Sequence, residues 1–297
     1  MSNYLHLHPR TELELELPLP ERIKAIRSAR WIGYPAAKGV LDRMNELFEF
    51  PQTHRMPCLL LVGDSNNGKT MLLRHFFKQH KFQEMPGQSA TLSALYVQCP
   101  ASPDERDLYS SILERLRLPH NRNSRGHILR AQLEKAMRML SVRMMVLDEV
   151  HNVLVGTPIK QKQFLNTLKY LSNELQIPIV AAGTKDALQV TRTDDQIANR
   201  FEPMFLPTWK LDNEFRRLLV SFEMMLPLRQ PSKLSQEPLL GRIYMMSEGL
   251  IGEVSMILVR AGVTAVQNKE ECITSATLDV LRWMPPSERR GEAIFAK

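Results

Sequence analysis

Cysteine is scarce in this chain: Cys58, Cys99 and Cys272 are the only three in 297 residues, with no CxxC pair among them. So few and so scattered, they exclude a zinc quartet or a disulfide framework and suit buried thiols in a reducing cytoplasm. Long apolar runs are also missing, and nothing approaches the ~18 residues that a membrane span requires. The opening "MSNYLHLHPRTELELELPLPER" has no continuous apolar centre and carries acids, which excludes a secretory signal. Acids themselves are missing from one region. Between Arg115 and Arg143 lie eight Lys or Arg residues and one acid, Glu134. With a net charge of +7, that distribution favours an anionic partner, although a solvated helix face has the same composition.

What is present is an ordinary globular content of 43% hydrophobic and 24% charged residues. The stretch "ELELELPLP" alternates and is stopped by Pro18 and Pro20, which suits an edge strand or, in preference, a loosely ordered arm over residues 1–29. Next, "RWIGYPAAKGVLDRMNELFEFP" reads as an aromatic segment and an amphipathic helix. Short apolar runs then alternate with helical patterns: "CLLLVG" (58–63), "ALYVQC" (94–99), "RMMVLDEV" (143–150) and "IPIVAAGT" (177–184) read as buried strands. A helix is expected to start near Asp104, and an apolar strand-like segment follows Arg200. This order predicts an α/β domain over residues 30–208, a parallel sheet covered by helices on both faces. Beyond Lys210 only helical periods remain, which predicts a helical domain over residues 209–284 and a disordered tail over 285–297.

The string "GDSNNGKT", Gly63 to Thr70, fits G-x-x-x-x-G-K-[ST] between a buried strand and a helix. Gly63, Asp64, Ser65, Asn66, Asn67 and Gly68 would curl backbone N–H groups around the phosphates of ATP at the positive end of the helix, with Met71 just behind. Lys69 would reach the β- and γ-phosphates, and the Thr70 hydroxyl would ligate Mg²⁺. The complementary acid ends a neighbouring strand: Asp148 would hold the metal's water shell, and Glu149 would polarise a water as general base. The adjacent acids favour hydrolysis over transfer to a second substrate. Thr184, at the end of the fourth strand, is placed to orient that water, and Arg200 is placed to reach the γ-phosphate of an adjacent subunit. The string D-E-V-H, completed by His151, superficially resembles a helicase box. The helical remainder cannot supply the second core sheet a helicase needs, so His151 is read as a helix-entry residue. No N-K-x-D follows the fourth strand, which favours adenine over guanine.

The strings "RWIGYPAA", "RMPCLLLVGDSNNGKT", "VRMMVLDEVHNVLVGT", "FLNTLKYLSNELQIPIVAAGT" and "DDQIANRFEPMFLPTW" together resemble AAA+ ATPases of the TniB/TnsC transposition group. That group is related to the phage Mu B protein and to IstB, and the resemblance is strongest to TniB. It covers about residues 30–210. It implies an AAA+ P-loop ATPase fold, a five-stranded parallel sheet between helices followed by a small helical lid. It further implies a bacterial cytoplasmic protein that uses ATP and Mg²⁺ and forms a homo-oligomeric ring or helical filament on double-stranded DNA. Such a protein recruits a DDE transposase, works with a TniQ-like targeting factor, and disassembles on slow, regulatory hydrolysis. On this resemblance Thr184 is sensor 1, Arg200 is the inter-subunit finger, and Trp31, Ile32 and Tyr34 line the adenine pocket. One departure stands out: Glu253 occupies the region where a sensor 2 arginine is expected, and Arg260 lies two turns further on.

No base-reading module is recognisable, so sequence-tolerant, salt-sensitive DNA binding is expected. The loop "PHNRNSRGH" is the candidate contact, with Arg122 and Arg125 first and Arg130 and Lys135 behind them. Two other readings share the ATPase chemistry: a DNA-independent matchmaker switched by ATP, and a replication-type loader.

Overall fold

A computed structural model describes residues 4–80, 92–192 and 195–291. The chain forms two compact units. Residues 1–34 and 207–297 make a helical unit, and residues 35–206 make an α/β unit.

The helical unit begins with α1 (Pro9–Glu12), a 3₁₀ turn (Leu13–Glu16) and α2 (Leu19–Arg27). The expected loose arm is therefore folded. At about three residues per turn, residues two apart point to different sides, so the alternating leucines cannot share a face. Leu15 is buried while Leu13 is exposed. In α2 the buried positions are Arg22 and Ile26, one helical turn apart. The Arg22 guanidinium donates to the Pro227 carbonyl (Nε–O 2.8 Å) and to Glu271 (Nη1–Oε1 2.9 Å), which satisfies a charge that burial alone would penalise. Burial works to raise the Glu271 carboxyl, but the bonds from Arg22 and the Arg229 N–H hold it below its ordinary value.

The α/β unit opens with α3 (Pro35–Phe48), β1 (Cys58–Gly63) and α4 (Lys69–Gln79). It continues through β2 (Ala94–Gln98), α5 (Glu105–Arg115), α6 (Gly126–Met139) and β3 (Met144–Asp148). A 3₁₀ turn (Val150–Val155) leads to α7 (Pro158–Leu175), β4 (Ile179–Gly183), α8 (Ala187–Arg192), α9 (Asp195–Ala198) and β5 (Phe201–Leu206). Helix α5 starts as expected, with Asp104 capping the N–H groups of Arg106 and Asp107. All five strands are parallel, in the order β2-β3-β4-β1-β5. Every residue of β1, β3 and β4 is buried, which is why those strands read as unbroken apolar runs. Strand β5 is an edge, and its Pro203 is tolerated there because it removes no ladder bond to an outer neighbour.

The remaining elements return to the helical unit: α10 (Asn213–Met224), α11 (Leu239–Ser247), α12 (Ile251–Gln267), α13 (Ser275–Val280) and α14 (Pro286–Arg289). Their core gathers Phe215, Leu219, Ile243, Val254, Ile257 and Leu258 with Ile26 of α2 and Ile32. This differs from the expected division, which placed residues 30–34 with the sheet. Ile32 is buried in the helical core, and the Tyr34 ring meets Trp209 edge-on at 5.0 Å. The expected disordered tail includes helix α14, whose Arg289 pairs with Glu253 and lies over the Trp283 ring at 5.6 Å. The rest of the expected tail, residues 292–297, lies outside the described residues. No described helix is long and apolar enough to cross a membrane.

Ile26 tests whether the N-terminal segment is part of this unit. Its side chain is 2% exposed and faces Gly262 of α12. Ile26→Ala is expected to cost ~2–5 kcal/mol and to lower the melting temperature by several degrees in a calorimetric scan. An unchanged transition would mean that the segment is an appended arm after all.

Candidate functional site

Parallel strands all present their C-terminal ends at one edge of the sheet, and three of the α/β unit's loops leave from there. The first, Gly63 to Gly68, links β1 to α4. It turns tightly because Asn66 (φ 59°) and Gly68 (φ 85°) adopt left-handed conformations. For Gly68 that conformation costs little; for Asn66 it is among the better tolerated. Gly63 is favoured for a different reason, since a Cβ there would press on the Leu206 carbonyl of β5 at 3.1 Å. Asn67, at a variable position of the motif, is buried and donates from Nδ2 to that same carbonyl at 2.8 Å. Its side chain therefore anchors the loop to β5, a role that the sequence pattern does not reveal.

Lys69 begins α4 and is only 6% exposed. Its Nζ donates to the carbonyls of Gly63 and Asp64, both at 2.8 Å. Burial lowers its pKa from 10.5, against the opposing pull of Glu149, Asp148 and Asp64. No side chain caps α4, so its first-turn N–H groups and the positive end of its dipole serve the loop. Ser65, Asn66 and Met71 are exposed beside the loop. Asp64 is half-buried and carries an ion pair from Lys185 (Nζ–Oδ1 3.0 Å), which reaches over from the segment after β4. Lys185 is absent from the sequence reading.

Strand β3 contributes the acids. Asp148 is 2% exposed, and each of its oxygens is engaged. Oδ2 accepts from the Thr70 hydroxyl at 2.7 Å and from the Tyr96 phenol at 2.8 Å, and Oδ1 accepts from the Glu149 N–H at 3.0 Å. Tyr96 also escaped the sequence reading, being hidden inside an apolar strand. Burial first, and then Asp148 as acceptor and charge, push its pKa up to about 12, so the phenol stays a donor. Glu149 takes a left-handed conformation (φ 60°, ψ 38°), which turns its side chain out of the strand's alternation. The carboxylate stands beside the imidazole of His151, Oε2 to Nε2 3.2 Å.

Strand β4 lies between β1 and β3, and it ends at Gly183 with Thr184 following. Thr184 is half-buried, its hydroxyl directed at Asp186 (3.4 Å) and its N–H at His151. The structure thus brings Lys69, Thr70, Asp148, Glu149 and Thr184 to one edge of the sheet. Together they form an anion-binding turn beside an oxygen pair suited to a hard divalent cation, Thr70 and Asp148, already 2.7 Å apart.

The other candidate residues lie elsewhere. Arg200 immediately precedes β5, and its carbonyl accepts from the Cys58 N–H at the start of β1. It sits at the opposite end of the sheet from Gly63 of the same chain, six register positions or roughly 20 Å away at ~3.3 Å per residue. Its guanidinium donates to Asn173 Oδ1 at 2.7 Å, and burial lowers its pKa. Trp31, Ile32 and Tyr34 belong to the helical unit, with Ile32 buried in its core. Glu253 of α12 is 3% exposed and paired with Arg289, while Arg260 donates to the Leu281 carbonyl and lies over Trp283.

The basic loop is a built turn. Asn121 closes it through the N–H of Asn123, and Gln132 donates to the Pro119 carbonyl at 2.8 Å. Arg122 and Arg125 are exposed on it, Arg122 paired with Glu114. On α6 the other two candidates part company. Arg130 is half-buried over the Tyr170 ring at 4.8 Å, whereas Lys135 is exposed about 140° further round the helix.

With this geometry in hand, comparisons with known proteins are informative. No curated protein matches the chain. Solved structures match it in fold. The Aeropyrum pernix ORC2 protein, in ADPNP–ADP complexes, superposes with a TM-score of 0.66 at 15% identity, covering 91% of this chain and 74% of that one. The A. pernix ORC1 protein in complex with DNA gives 0.62 at 16% identity, over 88% and 68%. Cdc6p from Pyrobaculum aerophilum gives 0.60 at 18%, over 84% and 68%. At these identities the likeness is one of fold, and it is the AAA+ P-loop fold expected from the sequence. The family model described as "Bacterial TniB protein" matches residues 22–211, well over half of the chain. An AAA+ fold in the structure and a family match across the whole sheet domain lead to one assignment: the chain belongs to the TniB family.

Proposed function

We propose that this chain is an ATP-hydrolysing, DNA-binding regulator of transposition that oligomerises on target DNA, recruits a DDE transposase and disassembles when ATP is spent. The observation that carries the ATPase half is the meeting of Thr70 and Glu149 on the two oxygens of one buried acid, Asp148. The amides of Gly63–Thr70 and the Lys69 ammonium hold the β- and γ-phosphates, with Lys69 exchanging its loop carbonyls for phosphate oxygens. Thr70 and Asp148 hold Mg²⁺, which when bound neutralises charge on the phosphate oxygens. Glu149 accepts a proton from the attacking water, and Thr184 orients that water. Trp31, Ile32 and Tyr34 are proposed for the adenine.

Membership of the TniB family supports the transposition half, including the DDE transposase and a TniQ-like targeting factor as partners. The DNA-bound ORC1 relative supports contact with duplex DNA. On this reading Arg122 and Arg125 contact phosphates first, with Lys135 and Arg130, the latter lying over the Tyr170 ring, behind them. Arg200 acts on the γ-phosphate of a neighbouring subunit, because the sheet places it at the far end from its own phosphate loop.

Negative-stain imaging with duplex DNA, with and without a non-hydrolysable ATP analogue, tests the assembly. Rings or filaments that need both components are expected; dispersed particles in every condition would favour the DNA-independent matchmaker. Arg122→Ala with Arg125→Ala is expected to weaken DNA binding and flatten the log K against log salt slope by about two units, with ATP affinity unchanged. An unaltered slope would remove the loop from the interface. Arg200→Ala is expected to lower hydrolysis by ~10³-fold or more without loss of nucleotide affinity. Mixing it with Lys69→Ala should restore activity, since intact loop and intact arginine then meet at shared interfaces. A mixture as inactive as its parts would sink the trans assignment.

A further inference from the structure

We propose that His151 is a positioning residue for the hydrolytic carboxylate, tying Glu149 to the end of β4. The inference rests on the reading of Glu149 as the base, and goes beyond it by giving that base a partner. The imidazole lies between two groups. Its Nδ1 accepts from the Thr184 N–H at 3.5 Å, a long hydrogen bond, and its Nε2 lies 3.2 Å from Glu149 Oε2. A neutral imidazole has one donor and one acceptor. The Thr184 N–H can only donate, so Nδ1 carries the lone pair and Nε2 carries the hydrogen, which lies on the side of Glu149 Oε2. The two neighbours therefore select one tautomer, and the bridge needs no charge on the ring.

The backbone around the bridge is built to hold it. Glu149 occupies a left-handed conformation that a residue with a side chain adopts only under local constraint. That constraint comes from the Asp148 carboxylate on its N–H and from the Asn152 N–H on its carbonyl, at 3.0 Å each. The 3₁₀ turn that follows packs hard against β4. A Cβ at Gly183 would lie 2.8 Å from the Ala187 Cβ, 3.2 Å from Val150 and 3.3 Å from the His151 nitrogen. Glycine at 183 leaves room for both Ala187 and the turn, and so favours the close seating that brings the imidazole to Thr184. The Thr184 hydroxyl is directed at Asp186, so the backbone N–H makes the bridge and the side chain is left to its own task.

The chemical consequence is specific. The polar contact from Nε2, 3.2 Å from Oε2, holds one carboxylate oxygen by electrostatic attraction and so leaves the other, Oε1, to take the proton. It also couples the aim of Glu149 to the position of the β4 end. A displacement of Thr184 moves the imidazole, and the imidazole moves the carboxylate. In the sequence this residue is the H of D-E-V-H, read there as a helix-entry residue that could contact a neighbour.

The test compares phosphate release and affinity for a non-hydrolysable ATP analogue in the full chain and in His151→Ala, His151→Gln and His151→Asn, with Glu149→Gln alongside. His151→Ala is expected to lower kcat at least tenfold, with analogue affinity within twofold and the melting temperature unchanged. His151→Gln, whose amide N–H reaches as far as Nε2, should recover most of the rate. His151→Asn, which ends at the level of Nδ1, should not. A His151→Ala rate within twofold of the parent, with Glu149→Gln inactive, overturns the proposal and leaves His151 a spacer. Equal losses in all three variants, with weakened analogue binding and a lower melting temperature, overturn it as well, in favour of a purely structural role. A parent chain without hydrolysis, or an active Glu149→Gln, would instead overturn the ATPase reading on which the proposal rests.

Discussion

The arrangement turns on one buried carboxylate. An ionised acid that is 2% exposed is tenable only if its oxygens are paired, and Asp148 achieves this with two hydroxyls and one backbone N–H. Each partner comes from a different element: Thr70 from α4, Tyr96 from β2 and Glu149 from the turn after β3. The acid therefore fixes α4, β2 and β3 relative to one another at the edge where the phosphate loop leaves β1. Removing any one partner loosens the others, because the remaining groups must share a charge that water cannot reach. The parallel register makes the meeting possible. Tyr96 pairs with Val146 and Gln98 with Asp148, so the Tyr96 phenol lies two residues short of the acid it must reach.

Much of this was legible in the sequence for a physical reason. Phosphate binding at a helix N-terminus demands glycine where the backbone turns left-handed, and lysine and a hydroxyl at fixed offsets, so "GDSNNGKT" carries its own geometry. A buried parallel strand demands an unbroken apolar run, so "RMMVLDE" announces both the strand and the acids that end it. The sheet and the edge where the site lies followed from those two patterns. Tyr96 did not follow, since an aromatic residue in an apolar strand has no periodicity to distinguish a core ring from a hydroxyl aimed at an acid. Asn67 was hidden for the opposite reason: it fills a position that the motif leaves open, and only the proximity of β5 gives it a partner.

The N-terminal segment shows where local pattern and tertiary burial part. Alternation in "ELELELPLP" has the period of a strand, yet the segment is helical, with Leu15 and Ile26 buried and Leu13 in solvent. What decides the fold there is Arg22. Its bidentate hold on Glu271 and its bonds to the Pro227 carbonyl tie residues more than two hundred positions apart, and no window of sequence contains both ends.

The charges at the edge of the sheet bear on how the proposed reaction is controlled. Among the described residues, Lys69, buried and lowered in pKa by that burial, and Lys185, exposed and paired with Asp64, stand there beside the acids Asp64, Asp148 and Glu149. On the proposed reading a triphosphate would add negative charge, and a divalent cation on Thr70 and Asp148 would offset part of it. The balance of a hydrolytic transition state, where charge builds on the γ-phosphate oxygens, needs a further cation. On that reading Arg200 would be such a cation, and the sheet holds it at the far end from its own chain's phosphate loop. On the proposed reading this separation is the control itself: the residues that bind ATP are complete in one subunit, those that hydrolyse it quickly are complete only between two, and the rate becomes a measure of assembly.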